Sequence, residues 1–293
     1  MFYFLVTLIF FSSIEVVSKD LMSYLGPFEM TFFRFFIGLI GLLIYAVFTG
    51  AAKDLKGLKY KDYSLFALLG FINIFFSMTM LQYAIKYGEP AVVALIISSN
   101  PIFVYILSLI RKHEKISFRR TAGFILGILG IAAVVIRDFS SFVIEKGSLF
   151  ALAGAVSFAF FTIINKRAVR ERRPLIVNIY SFAFGTAFIA LYVSLSGSLN
   201  ISPELFDSGV RIIKLLYLGI FVTAISYITF LTAIKRIGPV ASSLVFLFKP
   251  AVATIFAVVF LSEEIRLNLF AGLLLSSAGS WLIMRKKNTG KVL

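Results

Sequence analysis

The sequence predicts an all-α integral membrane protein of ten transmembrane helices, folded as a 5+5 inverted repeat. Three observations carry this. The 293 residues are 60% hydrophobic and only 15% charged, against about 45–50% and about 25% in soluble globular domains. Apolar stretches of the length needed to cross a hydrocarbon core of about 30 Å, roughly 20 residues each, recur along the whole chain. The two halves of the chain also match one another at an almost constant offset.

Segment 1 (2–20) lacks the positively charged start and small-residue cleavage point of a signal peptide, so it is expected to be a retained helix. Segments 2 (28–49), 3 (63–85) and 4 (90–111) follow, then a shorter segment 5 (121–137). The second half carries segments 6 (147–166), 7 (175–196), 8 (212–234) and 9 (239–261), and a short segment 10 (268–285).

The net charge of +15 would suggest nucleic acid in a soluble chain. Its distribution points to a membrane instead, and no nucleic-acid partner is expected. Basic residues crowd the loop after segment 2 (Lys53, Lys56, Lys59, Lys61), after segment 4 (Arg111, Lys112, Lys115, Arg119, Arg120) and after segment 6 (Lys166, Arg167, Arg170, Arg172, Arg173). They recur after segment 8 (Lys235, Arg236) and after segment 10 (Arg285, Lys286, Lys287, Lys291). The other side holds Lys19, Lys86, Arg137, Lys146, Arg211, Lys214 and Arg266. This alternation, 20 against 7, places both termini in the cytoplasm of a cell (plasma or inner) membrane protein with an even number of spans.

Composition also removes whole classes of chemistry. There is no cysteine, and the one histidine, His113, lies in a basic loop. Disulfides, thiolate catalysis, iron–sulfur and zinc centres and histidine triads are excluded, so neither metal nor cofactor is expected. The sequence has no HExxH, no GxSxG and no nucleotide-binding glycine loop, so no enzyme is expected.

A shift of 149 lays Lys86 on Lys235, Pro90 on Pro239, Pro101 on Pro250, Glu114 on Glu263, Gly123 on Gly272 and Gly130 on Gly279. Earlier in the chain a shift of 147 lays Lys19 on Lys166, Pro27 on Pro174, Phe35 on Phe182 and Gly38 on Gly185. Chance explains matched Phe in an apolar chain; it does not explain matched Pro, Lys and Glu. The expected units are 1–138, 147–286 and a tail at 287–293. Five helices per copy is an odd number, so the second copy enters the membrane inverted, a signature of secondary transporters whose sites lie between the halves.

The stretch Ala84-Ile-Lys-Tyr-Gly-Glu-Pro-Ala, then Ser99-Asn-Pro101, Glu114 and Gly123, resembles the drug/metabolite transporter superfamily, EamA type. Its second copy reads Ala233-Ile-Lys-Arg-Ile-Gly-Pro-Val, Phe248-Lys-Pro250, Leu261-Ser-Glu-Glu and Gly272, and Phe33-Arg34-Phe35 and Lys19 also fit the pattern. The resemblance spans nearly the whole chain. It implies a ten-helix transporter with a central cavity bounded mainly by segments 1, 3, 4, 6, 8 and 9, with 5 and 10 peripheral. It leaves the substrate open among amino acids, nucleosides, sugar phosphates, drugs and other metabolites. A lysine before Pro250 departs from the uncharged or acidic residue common there.

Charges inside spans are the candidates for function, because each costs about 2.5–3.5 kcal/mol to insert. Lys249 lies about 15 Å into segment 9 at about 1.5 Å per residue, too deep to snorkel. It would hold a substrate carboxylate or phosphate, or pair with an internal acid. Glu15 lies at similar depth in segment 1 and pairs either with Lys249 or, at i,i+4, with Lys19. Arg34 reads first as a structural arginine that bonds loop carbonyls or snorkels. Ser98, Ser99 and Asn100 beside Pro101 form a polar cluster where proline frees a carbonyl. Asn73, Gln82 and Asn165 are either interhelical glue or cavity groups. Tyr227, Thr223 and Tyr83 serve equally as cavity wall or as core. Gly123-x-x-x-Gly127, echoed by Gly272 and Ser276, permits close packing within a monomer or across a homodimer.

The expected function is secondary transport of small metabolites by alternating access, with export of amino acids or related zwitterionic or anionic solutes favoured. The expected substrate-binding residues are Lys249, Glu15, Asn100, Ser99, Gln82 and Tyr227. In this reading a solute carboxylate sits on Lys249 and its ammonium near Glu15. The alternative is a lipid flippase or another membrane protein that moves no solute.

Overall fold

The computed structural model describes residues 2–110, 118–138, 143–197, 199–243, 245–262 and 267–284. His113, the repeat-matched Glu114 and Glu263, Arg266 and the basic tail from Arg285 onward lie outside them, as do Arg111, Lys112 and Lys115.

In hydrocarbon every backbone polar group must be satisfied within its own segment, and a helix does this. Segment 1 becomes α1 (Phe2–Ser12) and α2 (Ile14–Leu21), parted at Ser13. Segment 2 is α3 (Pro27–Phe48), opened by a proline at the first helical position. Segment 3 is α4 (Tyr60–Gly70), a π-helical stretch Phe71–Met78 and α5 (Thr79–Tyr87). Segment 4 is α6 (Pro90–Ser98) and α7 (Asn100–Ile110), and segment 5 is α8 (Phe118–Val135). Segments 6 and 7 are α9 (Lys146–Glu171) and α10 (Pro174–Ser196). Segment 8 repeats the plan of segment 3: α11 (Gly209–Tyr217), a π-helical stretch Leu218–Ile225 and α12 (Ser226–Ile237). Segment 9 is α13 (Pro239–Ser242) and α14 (Val245–Leu261), and segment 10 is α15 (Leu267–Met284). Six of these units are long and apolar enough to cross a membrane by length and composition among the described residues. The chain is a multi-pass membrane protein.

Three local features differ from the sequence expectation. Helix α9 continues to Glu171, so Lys166, Arg167 and Arg170 occupy its final turns rather than a loop. Cations at a helix C-terminus complement the exposed carbonyls there. Segment 1 breaks at Ser13, whose Oγ donates to the Phe10 carbonyl at 2.9 Å, a side-chain bond that competes with the helix ladder. A two-stranded antiparallel ribbon pairs β1 (Ile136–Asp138) with β2 (Val143–Ile144) between α8 and α9.

Packing comes in matched sets. Helix α3 lies on α10, and α8 lies on α15. The stretch Leu218–Ile225 packs on α3, as Phe71–Met78 packs on α10. Helix α1 packs on α12 and α14, as α9 packs on α5 and α6. The two π-helical stretches, Phe71–Met78 and Leu218–Ile225, stand at the same offset of 147 that relates Phe35 to Phe182. Glycine permits the α8–α15 contact: a Cβ on Gly130 would stand 2.5 Å from the Ser276 nitrogen, and one on Gly279 would stand 2.5 Å from the Gly123 carbonyl oxygen. Small residues of this kind let helix backbones meet in a membrane.

The two ends of the bundle are tied by polar contacts. At one end Arg172 bonds Asp62 at 2.6 Å, Arg173 bonds Asp54, and the Tyr180 hydroxyl donates to the Leu55 carbonyl at 2.8 Å. At the other, Lys214 bonds Asp20 at 2.7 Å and the Asn200 backbone N–H donates to Glu29 at 3.0 Å.

Candidate functional site

A small cavity of about 30 Å³ lies at the centre of the bundle. Segments 1, 2, 3, 4, 6, 8 and 9 each contribute to its wall, through residues that include Phe11, Arg34, Met78, Ile97, Phe158, Tyr227 and Lys249. Among the described residues none from segments 5 and 10 lines it; these segments pack on one another through α8 and α15. The volume suits one or two waters and is far below the about 300–1,000 Å³ of ligand pockets. The lining residues are buried in this conformation.

Lys249, on α14, donates its Nζ to Glu15 Oε1, on α2, and both side chains are buried at 3% and 0% exposure. Of the two partners open to Glu15 in the sequence, the structure selects Lys249. Lys19 turns away and donates to the Ile85 and Gly88 carbonyls, each at 2.9 Å, closing the C-terminal end of α5. The second carboxylate oxygen, Glu15 Oε2, has no hydrogen-bond partner.

Arg34 is the residue whose place the sequence reading missed. It neither reaches loop carbonyls nor snorkels, and its exposure is 0%. Its Nε donates to Thr223 Oγ1 at 3.3 Å, and its guanidinium stands 5.4 Å from the Phe35 ring centre. Both terminal nitrogens, Nη1 and Nη2, lack hydrogen-bond partners. Arg34 and Lys249 line the same cavity. One signal was present in the sequence: Phe32-Phe33-Arg34-Phe35-Phe36 puts an arginine among four phenylalanines, about 10 Å into α3 at about 1.5 Å per residue.

The π-helical stretch Leu218–Ile225 shapes this neighbourhood. Thr223 and Ser226 donate to the carbonyls five residues back, Leu218 at 2.7 Å and Phe221 at 2.9 Å, the spacing of a π-turn. Such turns recur at functional sites. Here the turn presents Thr223 to Arg34 and Tyr227 to the cavity. The Tyr227 hydroxyl donates to Asn73 Oδ1, in the other π-helical stretch, at 3.2 Å. Its ring packs edge-on against Phe11, Phe35 and Phe182, with centres 5.6, 5.6 and 5.4 Å away.

Lys249, Glu15 and Tyr227 thus come together. The other expected site residues lie in interhelical or local contacts. Asn100 Nδ2 donates to the Ala155 carbonyl at 3.2 Å, joining α7 to α9. Ser98 and Ser99 donate back to Ala94 and Ile96 within their own segment, each at 2.5 Å. Gln82 is buried with neither side-chain polar atom bonded, and Asn165 Nδ2 bonds Phe161 in its own helix at 3.3 Å. Tyr83 stacks on Phe150, 5.1 Å between centres, outside the cavity wall. Pro250 sits inside α14, and the interruption of segment 9 falls at Ser243, seven residues earlier.

A bundle with a closed, charged centre reached by both halves defines a multi-pass membrane protein with an internal polar site. The chain belongs to the EamA-like transporter family, which it matches over residues 1–136 and 145–285. A Clostridium kluyveri protein described as an uncharacterized transporter is 32% identical over 95% of this chain and 90% of its own length. An S-adenosylmethionine uptake transporter of Rickettsia bellii is 31% identical over 70% of this chain and 67% of its own. A crystal structure with 19% identity superposes with a TM-score of 0.70 over 96% of this chain and 94% of that one, a likeness of fold. The family assigns a transporter role, with a small-molecule substrate and a lipid surround.

Proposed function

We propose that this chain is a secondary transporter of amino acids or related zwitterionic or anionic small solutes, working by alternating access at the cavity lined by Lys249, whose partner is Glu15. The buried Lys249–Glu15 pair is the observation that carries this reading. Replacing such a pair by apolar residues is often neutral or stabilising, so stability alone is a weak reason to keep it. Intramembrane charges facing an internal cavity mark substrate paths. The relatives named for S-adenosylmethionine uptake move a molecule that carries an α-amino acid group, although its sulfonium makes it a net cation.

The proposal includes ten spanning helices arranged as 5+5, with units 1–138 and 147–286 inverted relative to one another and a tail at 287–293. The matched helix contacts, the paired π-helical stretches and the family match in two separate segments support it. It also places both termini in the cytoplasm of the cell (plasma or inner) membrane, on the strength of the loop charges. Closure around about 30 Å³ fits an intermediate in which neither side has access, and substrate entry then requires the two halves to part.

The test is counterflow in proteoliposomes with a panel of labelled amino acids, 2-hydroxy acids and S-adenosylmethionine, loaded inside or outside so that export and uptake are separated. Saturable exchange of a panel member supports the proposal. Lipid translocation without solute exchange replaces it with a flippase.

A further inference from the structure

We infer that Arg34, rather than Lys249, receives the solute's carboxylate, and that the site selects a solute of net charge −1 over a zwitterion or a cation. This rests on the reading of the central cavity as the substrate site and names the solute class it takes.

Lys249 Nζ is engaged by Glu15. Arg34 is held by one bond, Nε to Thr223 Oγ1 at 3.3 Å, while Nη1 and Nη2 are buried and unbonded at the cavity wall. A guanidinium with both terminal nitrogens free presents the fork that takes a carboxylate through two parallel bonds. A lysine already paired offers no such fork. Leaving buried N–H donors unsatisfied is costly, so a ligand that satisfies them gains what the closed protein lacks.

The charge count points the same way. Among the described residues of this site, Arg34 and Lys249 are two cations and Glu15 is the acid, paired with Lys249. With all three ionised, the site holds one more positive than negative charge in a low-dielectric interior, where a lone charge is expensive. A carboxylate monoanion brings the total to zero. A zwitterion leaves the imbalance in place, and a cation such as S-adenosylmethionine increases it. Phe11, Phe158 and the Tyr227 ring supply an apolar wall. Together these describe an apolar carboxylate, and 2-hydroxyisocaproate is a simple probe of that class.

The experiment uses the full-length protein in proteoliposomes with three probes of one shape: 2-hydroxyisocaproate (anion), L-leucine (zwitterion) and 2-hydroxyisocaproamide (neutral). The wild type should favour the hydroxy acid over the other two by at least about tenfold in kcat/KM, the scale of a hydrogen bond to a charged group. Arg34→Gln should bring the acid and amide within about threefold. Arg34→Lys keeps the charge but loses the fork, so it should retain the acid-over-amide preference and raise KM for the acid about tenfold. If Arg34→Gln fails to fold, the Arg34→Lys value of KM decides the matter. An acid-to-amide ratio unchanged in Arg34→Gln overturns the inference. So does an unchanged KM in Arg34→Lys, or a wild type that prefers leucine. Transport of other panel solutes with none of these three overturns this inference alone, whereas no exchange of any solute overturns the transport reading beneath it.

Discussion

Lys249 and Glu15 stand 234 residues apart in the chain and meet as a buried hydrogen-bonded ion pair that joins the first helical segment to the ninth. Breaking one side of a buried pair typically costs about 3–5 kcal/mol, because the other charge is stranded. Lys249→Met and Glu15→Gln should each lower the unfolding temperature in detergent, and the double variant should be more stable than either single one. Additive losses across that cycle would show that the two charges are not coupled.

Transport should separate the same residues differently. Lys249→Gln leaves Glu15 with Arg34 as the one remaining cation in its immediate electrostatic surroundings. The site then neutralises itself, and exchange of an anionic solute should fall below about a tenth of wild type in folded protein. Glu15→Gln leaves both cations unopposed, so the solute should be held more tightly and exchanged more slowly. Labelled-solute counterflow, normalised to monodisperse protein, measures both, and full exchange by Lys249→Gln would remove this pair from the mechanism.

Tyr227 gives a finer test of the wall. Its hydroxyl makes one hydrogen bond, to Asn73 at 3.2 Å, while its ring meets several other aromatic rings. Tyr227→Phe should cost about 0.5–1.5 kcal/mol, the net worth of one hydrogen bond. Tyr227→Ala should cost about 3–5 kcal/mol, as for other large aromatic truncations in a packed core. Denaturant or thermal unfolding of the two variants should show that gap; equal losses would mean that the ring contributes little beyond its hydroxyl.

The limits of sequence reading are instructive here. The helical segments were legible because lipid demands long apolar runs, and Lys249 was legible because a charge ten residues into such a run has no route to water. The Glu15 partnership was half legible: depth along two helices allowed it, but Lys19 at i,i+4 was equally available until α5 presented its terminal carbonyls to Lys19. Arg34 was misjudged because its distance from the segment end was known and its direction was not. The π-helical stretches at Phe71–Met78 and Leu218–Ile225 left no compositional mark, since the same apolar residues fill an α-turn. Asn100 and Ser99 stand beside Pro101, but sequence alone does not show what they bond: Asn100 meets the Ala155 carbonyl of α9, and Ser99 turns back to Ile96.

Topology is open to direct chemistry. The end of the bundle that carries the Arg172–Asp62 and Arg173–Asp54 pairs is proposed to face the cytoplasm, with the Lys214–Asp20 end outside. Single cysteines placed at Lys56 and Lys287 should react with a membrane-impermeant maleimide only after the cells are opened. A cysteine at Asp207 should react in intact cells. The reverse pattern would invert the protein in the membrane, and mixed labelling at one position would point to dual insertion.

The last expectation concerns how the halves move. Segment 4 is interrupted at Ser99, one residue before Asn100-Pro101 opens α7, and segment 9 is interrupted at Ser243, with Pro250 inside α14. Pro101 stands in the first turn of α7, where no intrahelical N–H bond is due, while Pro250 lies inside α14, where its missing N–H lets the helix bend at low cost. Helix α6 packs on α14, so the two weak points lie in contacting segments, and Lys249 immediately precedes one of them. Bending there would change the direction in which Lys249 and its partner face. Pro250→Ala restores the ladder of α14, and Pro101→Ala frees the backbone that proline fixes at the start of α7; together they should slow exchange by about tenfold or more, while leaving the unfolding temperature little changed. Equilibrium binding of the transported solute should change much less than the rate, because the site residues themselves are untouched. An exchange rate equal to that of wild type in the well-folded double variant would show that the motion pivots elsewhere.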